Sequence, residues 1–443
     1  MSQTTSPDTF RNALAQFLTP QVWKQAYQAY RPRSTACRWS LQPLVWVLLT
    51  MTWCLGQSQE ERFAAARAVY VAHHQHARRP GTTLAGYLTA LAKLPLPVLR
   101  ALARGVRQRL GTLWVESLRL SGGWVPLACD GSRVECARSA QLQQRLGEAG
   151  KPGSAPTIFV TALVLLPLGV VWSWYWGKGT ASEIHHLRRL LPTLPRRALI
   201  VADAGYLGYE LFRAIVAAQA AFLVRLSSRA YLYTTEQVPL TAWTEGLVYY
   251  WPKTVQDQGL PPLAARLLRI KGPKADVWLL TSVLAAEQLS RPTAGQVYRW
   301  RWRNEGLFRD YKRLLQKVKL SSRTVALVHR EAEGAMLALQ LLLALAVPTS
   351  AGRPEALPGS PRQELLRLRG AFTAALRSLG RRQFAQYQEM LRVVRNKERP
   401  HRVSAKVRQK WARRAEHKPP KPPKLREMSD ALKAKLAKTL EVA

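Results

Sequence analysis

Three acidic residues far apart in the chain, Asp130, Asp203 and Glu305, sit in settings that suit metal-assisted chemistry. Of the seven Asp in 443 residues, Asp130 and Asp203 alone close apolar runs, Trp124-Val-Pro-Leu-Ala-Cys-Asp130 and Ala198-Leu-Ile-Val-Ala-Asp203. Such runs read as buried strands, and strand ends are where α/β sheets place ligands. A tight turn is the competing reading of Asp130-Gly131. Carboxylates gathered at one point repel each other, an arrangement that holds near neutral pH mainly when divalent cations neutralise it. Magnesium, a hard ion preferring carboxylate oxygen, is the expected occupant, with manganese a substitute. Two such ions, about 4 Å apart, activate an attacking oxygen and stabilise the leaving one in an in-line displacement at phosphorus.

The third acid lies in Tyr298–Lys312, YRWRWRNEGLFRDYK. The segment from Thr293 to Lys317 lacks Pro and is rich in Arg, Leu, Gln, Glu and Lys, which predicts one helix. Along it Tyr298, Arg301, Glu305 and Lys312 fall within an arc of about 60°, a stripe about 21 Å long. Arg309 lies on the same face. A solvated face is the alternative, because Arg301 to Glu305 and Glu305 to Arg309 are i,i+4 pairs worth a few tenths of a kcal/mol.

The spacing Tyr298, two residues, Arg301, three residues, Glu305, six residues, Lys312 resembles the YREK signature of one family of bacterial insertion-sequence transposases. These are cut-and-paste enzymes with a ribonuclease-H-like core and an Asp, Asp, Glu triad. Asp130-Gly-Ser-Arg resembles the first aspartate motif of that family, and Asp203-Ala-Gly-Tyr the second. The resemblance implies a catalytic and metal-holding triad of Asp130, Asp203 and Glu305, with Tyr298, Arg301 and Lys312 gripping the DNA backbone beside the cleaved phosphate; Arg309, from its place on the same face, is a weaker addition to that grip. Cleavage at the ends of a mobile element and 3′-hydroxyl transfer into target DNA follow from it, as do double-stranded DNA partners and a homodimer in the synaptic complex. In that family an aromatic of a β-rich insert can hold a flipped base; Trp243 and Trp251 are the candidates, and an ordinary core Trp is the competing reading for each.

Charge points the same way. Lys and Arg number 67 against 27 acids, a net charge of +40, which calls for a polyanionic partner, nucleic acid first. A membrane surface is the competitor, but Ile158–Trp176 is broken by Pro-Leu-Gly and Gly334–Val347 is too short to span. No signal-peptide pattern opens the chain, so the sequence predicts a cytoplasmic protein; the resemblance implies a bacterial, nucleoid-associated one. Cys37, Cys54, Cys129 and Cys136 lack zinc spacing.

The order of elements fits an α/β fold: a ribonuclease-H-like mixed sheet flanked by helices, an all-helical N-terminal domain, and a β-rich insert before the Glu-bearing helix. Residues 1–118 are helical, a region the resemblance assigns to reading the element's ends. Residues 119–226 form the first part of the core, with strands read over 124–130, 157–166, 170–176, 198–203 and 221–226; 227–292 form the insert, with strands read over 231–233, 247–251, 263–270 and 277–283; and 293–347 form the second part. Residues 348–394 are a linker with C-terminal helices, and 395–443 a basic tail expected to be disordered, with 13 Lys or Arg against 2 Glu between Arg395 and Arg426. The rival readings are another nuclease or recombinase on the same fold, and a non-catalytic basic DNA-binding protein.

Overall fold

The computed structural model describes residues 12, 14–30, 37–148, 153–272, 275–347, 360–395 and 421–441. Two compact units divide the chain. The first comprises Met1–Ser117, Gly131–Ser182 and Arg303–Glu398; the second comprises Leu118–Asp130, Glu183–Trp302 and Arg399–Ala443. The described strands are β1 Val125–Glu135, β2 Thr157–Leu165, β3 Val170–Lys178, β4 Ala198–Ala202, β5 Ala221–Arg225, β6 Tyr231–Thr234, β7 Glu245–Tyr250, β8 Leu263–Ile270, β9 Val277–Thr281 and β10 Lys424–Glu427. The chain boundary between the units falls inside β1, just after Asp130.

In the first unit, helices Pro20–Gln28, Leu41–Trp53, Gln59–His73, Leu84–Lys93 and Leu96–Leu110 form the expected helical front end. Side-chain caps fix where three of them start. Thr19 accepts from the Val22 amide, Ser58 from Glu61 and Thr83 from Gly86, each satisfying an amide that the first turn leaves without a partner. The Pro-Leu-Gly break folds the apolar run after Pro156 into the antiparallel β2–β3 hairpin. All nine residues of β2 are buried, so both of its faces are covered.

Helix Val325–Leu345 covers part of that hairpin: Gln340 Nε2 donates to the Val171 carbonyl at 3.0 Å, and Trp174 Nε1 donates to Glu333 Oε2 at 2.6 Å. The same helix packs on Leu41–Trp53, where the Trp53 indole donates to the Ala338 carbonyl. Gly334 makes that approach possible, because a Cβ there would stand 2.5 Å from a Leu48 methyl. Replacing Gly334 with Ala is expected to cost about 1–3 kcal/mol by overpacking, seen as a lower denaturation midpoint at unchanged m-value. Among the described residues no helix is long and apolar enough to cross a membrane.

In the second unit the strands lie in the order β10-β6-β7-β8-β9-β5-β4-β1. β1, β4 and β5 run parallel and β9 pairs antiparallel with β5, making a mixed sheet. The β4 sequence ALIVA is buried throughout, the near-continuous apolar pattern of a strand covered on both faces. Helix Tyr209–Ala217 supplies one cover, with Phe212 stacked on Phe222 of β5 at 4.0 Å between ring centroids. Strands β1 to β3, a helix, β4, a helix and β5 follow the succession expected of a ribonuclease-H core. The insert strands appear as read from sequence, yet they extend this sheet through the β5–β9 pairing.

The tail departs in part from its expected disorder. β10 pairs in parallel with β6 and helix Asp430–Glu441 follows; residues 396–420 lie outside the described residues. Local composition does not reveal this order because its contacts are tertiary. Lys424 Nζ donates to the Tyr231 hydroxyl at 2.6 Å, Met428 is buried, and Lys435 Nζ sits 5.7 Å from the Trp251 ring centroid.

Candidate active site

The second unit brings Asp130 and Asp203 side by side. β1 and β4 are registered Val125↔Ala198 through Ala128↔Val201, and carrying that register on by two residues, one past the end of β4, would put the two aspartates level. Because side chains alternate along strands, both follow the side taken by Ala128 and Val201. β1 runs on to Glu135, so Asp130 lies within a strand and not at its end, and Asp130-Gly131 is no hairpin turn. Burial nevertheless changes there, from five buried residues to half-buried Asp130, Gly131 and Ser132. Half-buried Asp203 caps the turn Ala204–Tyr206, its Oδ1 accepting from the Gly205 amide at 2.8 Å.

Glu183, which the sequence reading missed, adds a third carboxylate. It opens helix Glu183–Leu190, and its Oε2 lies 3.8 Å from where a Cβ on Gly205 would stand, the same point that Asp203 Oδ1 approaches to 3.0 Å. Its signal was available: an acid opening an amphipathic helix just after the β2–β3 hairpin. Beneath these acids, burial pushes the Cys129 thiol well up; a hydrogen bond with Tyr206 opposes this, and Asp130, Glu183 and Asp203 add to the rise. Among the described residues no three His, Cys, Asp or Glu side chains are gathered tightly enough to hold a metal ion together. The oxygen that shares the space over Gly205 with Asp203 is nonetheless a carboxylate, that of Glu183, the donor type that magnesium and manganese prefer.

The same unit carries Tyr298 and Arg301. The single helix expected from Thr293 to Lys317 is broken: one helix ends at Trp300, Arg301 caps it, and the next begins at Arg303. Tyr298 is 7% exposed whereas Trp302, four residues on, is 60% exposed. Residues four apart on one helix share a face, so a continuous helix would give these two rings similar surroundings. The run Arg299-Trp-Arg-Trp-Arg303 offers no apolar stripe to hold the helix straight, and packing decides instead. The Arg301 guanidinium lies 5.4 Å from the Tyr298 ring centroid and 5.5 Å from that of Trp302. The Tyr298 hydroxyl and Arg301 Nε are buried without a hydrogen-bond partner among the described residues. Such orphaned groups are rare unless a ligand or water completes them.

Glu305, Arg309 and Lys312 belong to the first unit. Glu305 and Arg309 are exposed on helix Arg303–Arg309, and Lys312 follows in a wider turn, Asp310–Leu314. Lys312 Nζ donates to Ser132 Oγ at 2.8 Å, reaching the half of β1 that continues from Asp130. Burial lowers its pKa, with Glu135 opposing.

Residues 125–341 match the family model described as the transposase DDE domain. The match supports the DDE transposase family. A cryo-EM structure of the piggyBac transposase synaptic complex with hairpin DNA aligns over 89% of this chain and 86% of that chain, at 10% identity and a TM-score of 0.44, a likeness too slight to carry argument. No curated protein matches. The stretch matched to the DDE transposase domain contains Asp130, Asp203 and Glu305, as well as Glu183.

Two expected site residues take a different place. Trp243 and Trp251 are 2% and 0% exposed, and their indoles donate to the carbonyls of Leu267 and Leu260. Both are core residues of the sheet's extension, with no ring face open to a base. The Trp243 ring also fills the space over Gly246, where a Cβ would meet it at 2.7 Å.

Proposed function

We propose that the protein is a DNA transposase of the YREK type that cleaves the ends of a bacterial insertion sequence and transfers the 3′-hydroxyls into target DNA. The observation that carries this reading is the pairing of parallel strands β1 and β4, the first containing Asp130 and the second ending one residue before Asp203, inside a stretch that matches the transposase DDE domain. Asp130 and Asp203 would hold divalent cations, magnesium or manganese, with Glu305 as the remaining acid of the triad. The bound pair of ions supplies activation of the attacking oxygen and stabilisation of the leaving one at phosphorus.

The chain's own residues position the DNA. The buried Tyr298 hydroxyl and Arg301 Nε, without a hydrogen-bond partner among the described residues, would donate to a backbone phosphate, and charge-assisted hydrogen bonds such as that of Arg301 are the strong ones. Arg309, exposed, and Lys312, held by Ser132, add positive charge from the first unit. The partner is double-stranded DNA, both element ends and target, and synapsis of two ends calls for a homodimer. The reading places the protein with the bacterial nucleoid in the cytoplasm.

The test uses the purified full chain and duplexes carrying the sequences that flank its gene. With magnesium, cleavage at inverted repeats and joining of the freed 3′ ends to a plasmid are expected. Cleavage without joining would move the reading to another nuclease on the same fold, and binding without cleavage to a non-catalytic DNA-binding protein.

A further inference from the structure

Four arginines of the first unit, Arg38, Arg67, Arg79 and Arg382, line a cavity of about 200 Å³ together with Thr82 and Gln383, and no acid lines it. Their roles differ. Arg67 is 4% exposed and committed to the protein: its Nε donates to the Gly81 carbonyl at 2.8 Å, Nη2 to Pro80 at 3.2 Å and Nη1 to Gln386 Oε1 at 3.3 Å. It fixes the floor. Arg38, Arg79 and Arg382 are exposed above it. With the Gln383 amide turned to satisfy both its ends, its oxygen accepts from Arg79 Nη2 at 2.7 Å and its nitrogen donates to the Gly380 carbonyl at 3.1 Å, so Arg79 is aimed rather than loose.

This collection is electrostatically unfavourable by itself. Among the described residues no carboxylate forms an ion pair with Arg38, Arg79 or Arg382. Burial lowers the Arg67 pKa, and the nearby Arg79 charge lowers it further. Arg382 is also the second residue of the 15-residue helix Arg381–Arg395, whose first turn contains no acid. Cations at the positive end of a helix repel its dipole, whereas an anion there is attracted. An oxyanion seated among the guanidiniums would relieve both conflicts, and planar arginine forks match phosphate oxygens.

We propose that this cavity is a phosphate-binding site, and that in a chain of net charge +40 its favoured occupant is a backbone phosphate of duplex DNA. The cavity lies wholly within the first unit, and the choice of duplex DNA as its occupant rests on the DNA-binding reading proposed above. The free phosphate ion shares the chemistry, so the test has two arms.

Duplex DNA binding by the full chain is measured across a salt series. The variant Arg38→Gln, Arg79→Gln, Arg382→Gln is compared with a control of equal charge, Arg145→Gln, Arg189→Gln, Arg229→Gln, whose three arginines are exposed and outside the cavity. Each phosphate contact contributes about 0.9 to the slope of log K against log salt. The cavity variant is therefore expected to lose about 0.9 or more of slope beyond the control, and Arg382→Gln alone a share of that loss. In the second arm, inorganic phosphate at matched ionic strength should raise the melting temperature of the wild type and not of the cavity variant. A phosphate effect without a slope difference would keep the site and assign it to free phosphate. Equal slopes for cavity and control variants, with no phosphate-dependent melting shift, would overturn the proposal. If the triple variant does not fold, Arg382→Gln is read by the same two criteria.

Discussion

Asp203→Asn should abolish magnesium-dependent cleavage of end-bearing DNA while leaving DNA binding near the wild-type level. On the proposed reading the carboxylate's charge would help hold divalent cations at the reacting phosphorus, a contribution of several kcal/mol, and each ~1.4 kcal/mol is tenfold in rate. A loss of about a thousandfold or more is expected. The fold should survive, because the amide oxygen of Asn can still accept from the Gly205 amide as Asp203 Oδ1 does. Cleavage is read on labelled duplex and binding by anisotropy on the same duplex. Glu305→Gln is the companion: the exposed side chain contributes little to folding, so an equal loss there would assign it to the chemistry. If cleavage by the Glu305 variant matched the wild type, the acid would drop out of the triad and Glu183, beside Asp203, would be the next to replace.

Lys317→Met should destabilise the fold more than Gly334→Ala does. Lys317 Nζ and Glu331 Oε1 stand 2.8 Å apart with both residues buried, and the amides of Ser321 and Ser322 also donate to the Glu331 carboxylate. Burial would push the Glu331 carboxyl up, but Lys317 and these hydrogen bonds outweigh it and hold the group below its ordinary value. Its stabilising contribution is therefore complete above the unfolded carboxylate value of about 4.3 and is lost as pH falls through the lower folded value. Removing Lys317 leaves a buried charge unpaired, which costs about 3–5 kcal/mol near neutral pH. The Glu331 carboxyl then titrates higher, so the deficit against wild type should narrow on acidification. Urea denaturation at pH 7 and pH 5 measures both effects; a deficit that widened at pH 5 would contradict the assignment.

Sequence located most strands within a residue or two, because their apolar runs are bounded by Pro and Gly. β8 lies over Leu263–Ile270 as read, between Pro261-Pro262 and Gly272. Asp130 and Asp203 were legible for the same reason, since a lone acid beside a buried run is a strong contrast. The break at Arg301 was not, because helix propensity is a local quantity and the burial of Tyr298 against the exposure of Trp302 is set by packing. The two tryptophans failed likewise: neither Trp243 nor Trp251 shows in sequence whether its indole will meet a base or a backbone carbonyl. Glu183 escaped notice because an acid in the first turn of a helix already has a use there, favouring the helix dipole.

The short tenth strand has a practical meaning for anyone trimming this chain. Four residues with two exposed cations, Lys424 and Arg426, terminate the sheet, a poor template for a further strand. A truncation ahead of residue 421 would strip that guard from β6 and leave hydrogen-bonding backbone open along Tyr231–Thr234. Preparations shortened there should self-associate, whatever they retain of their chemistry.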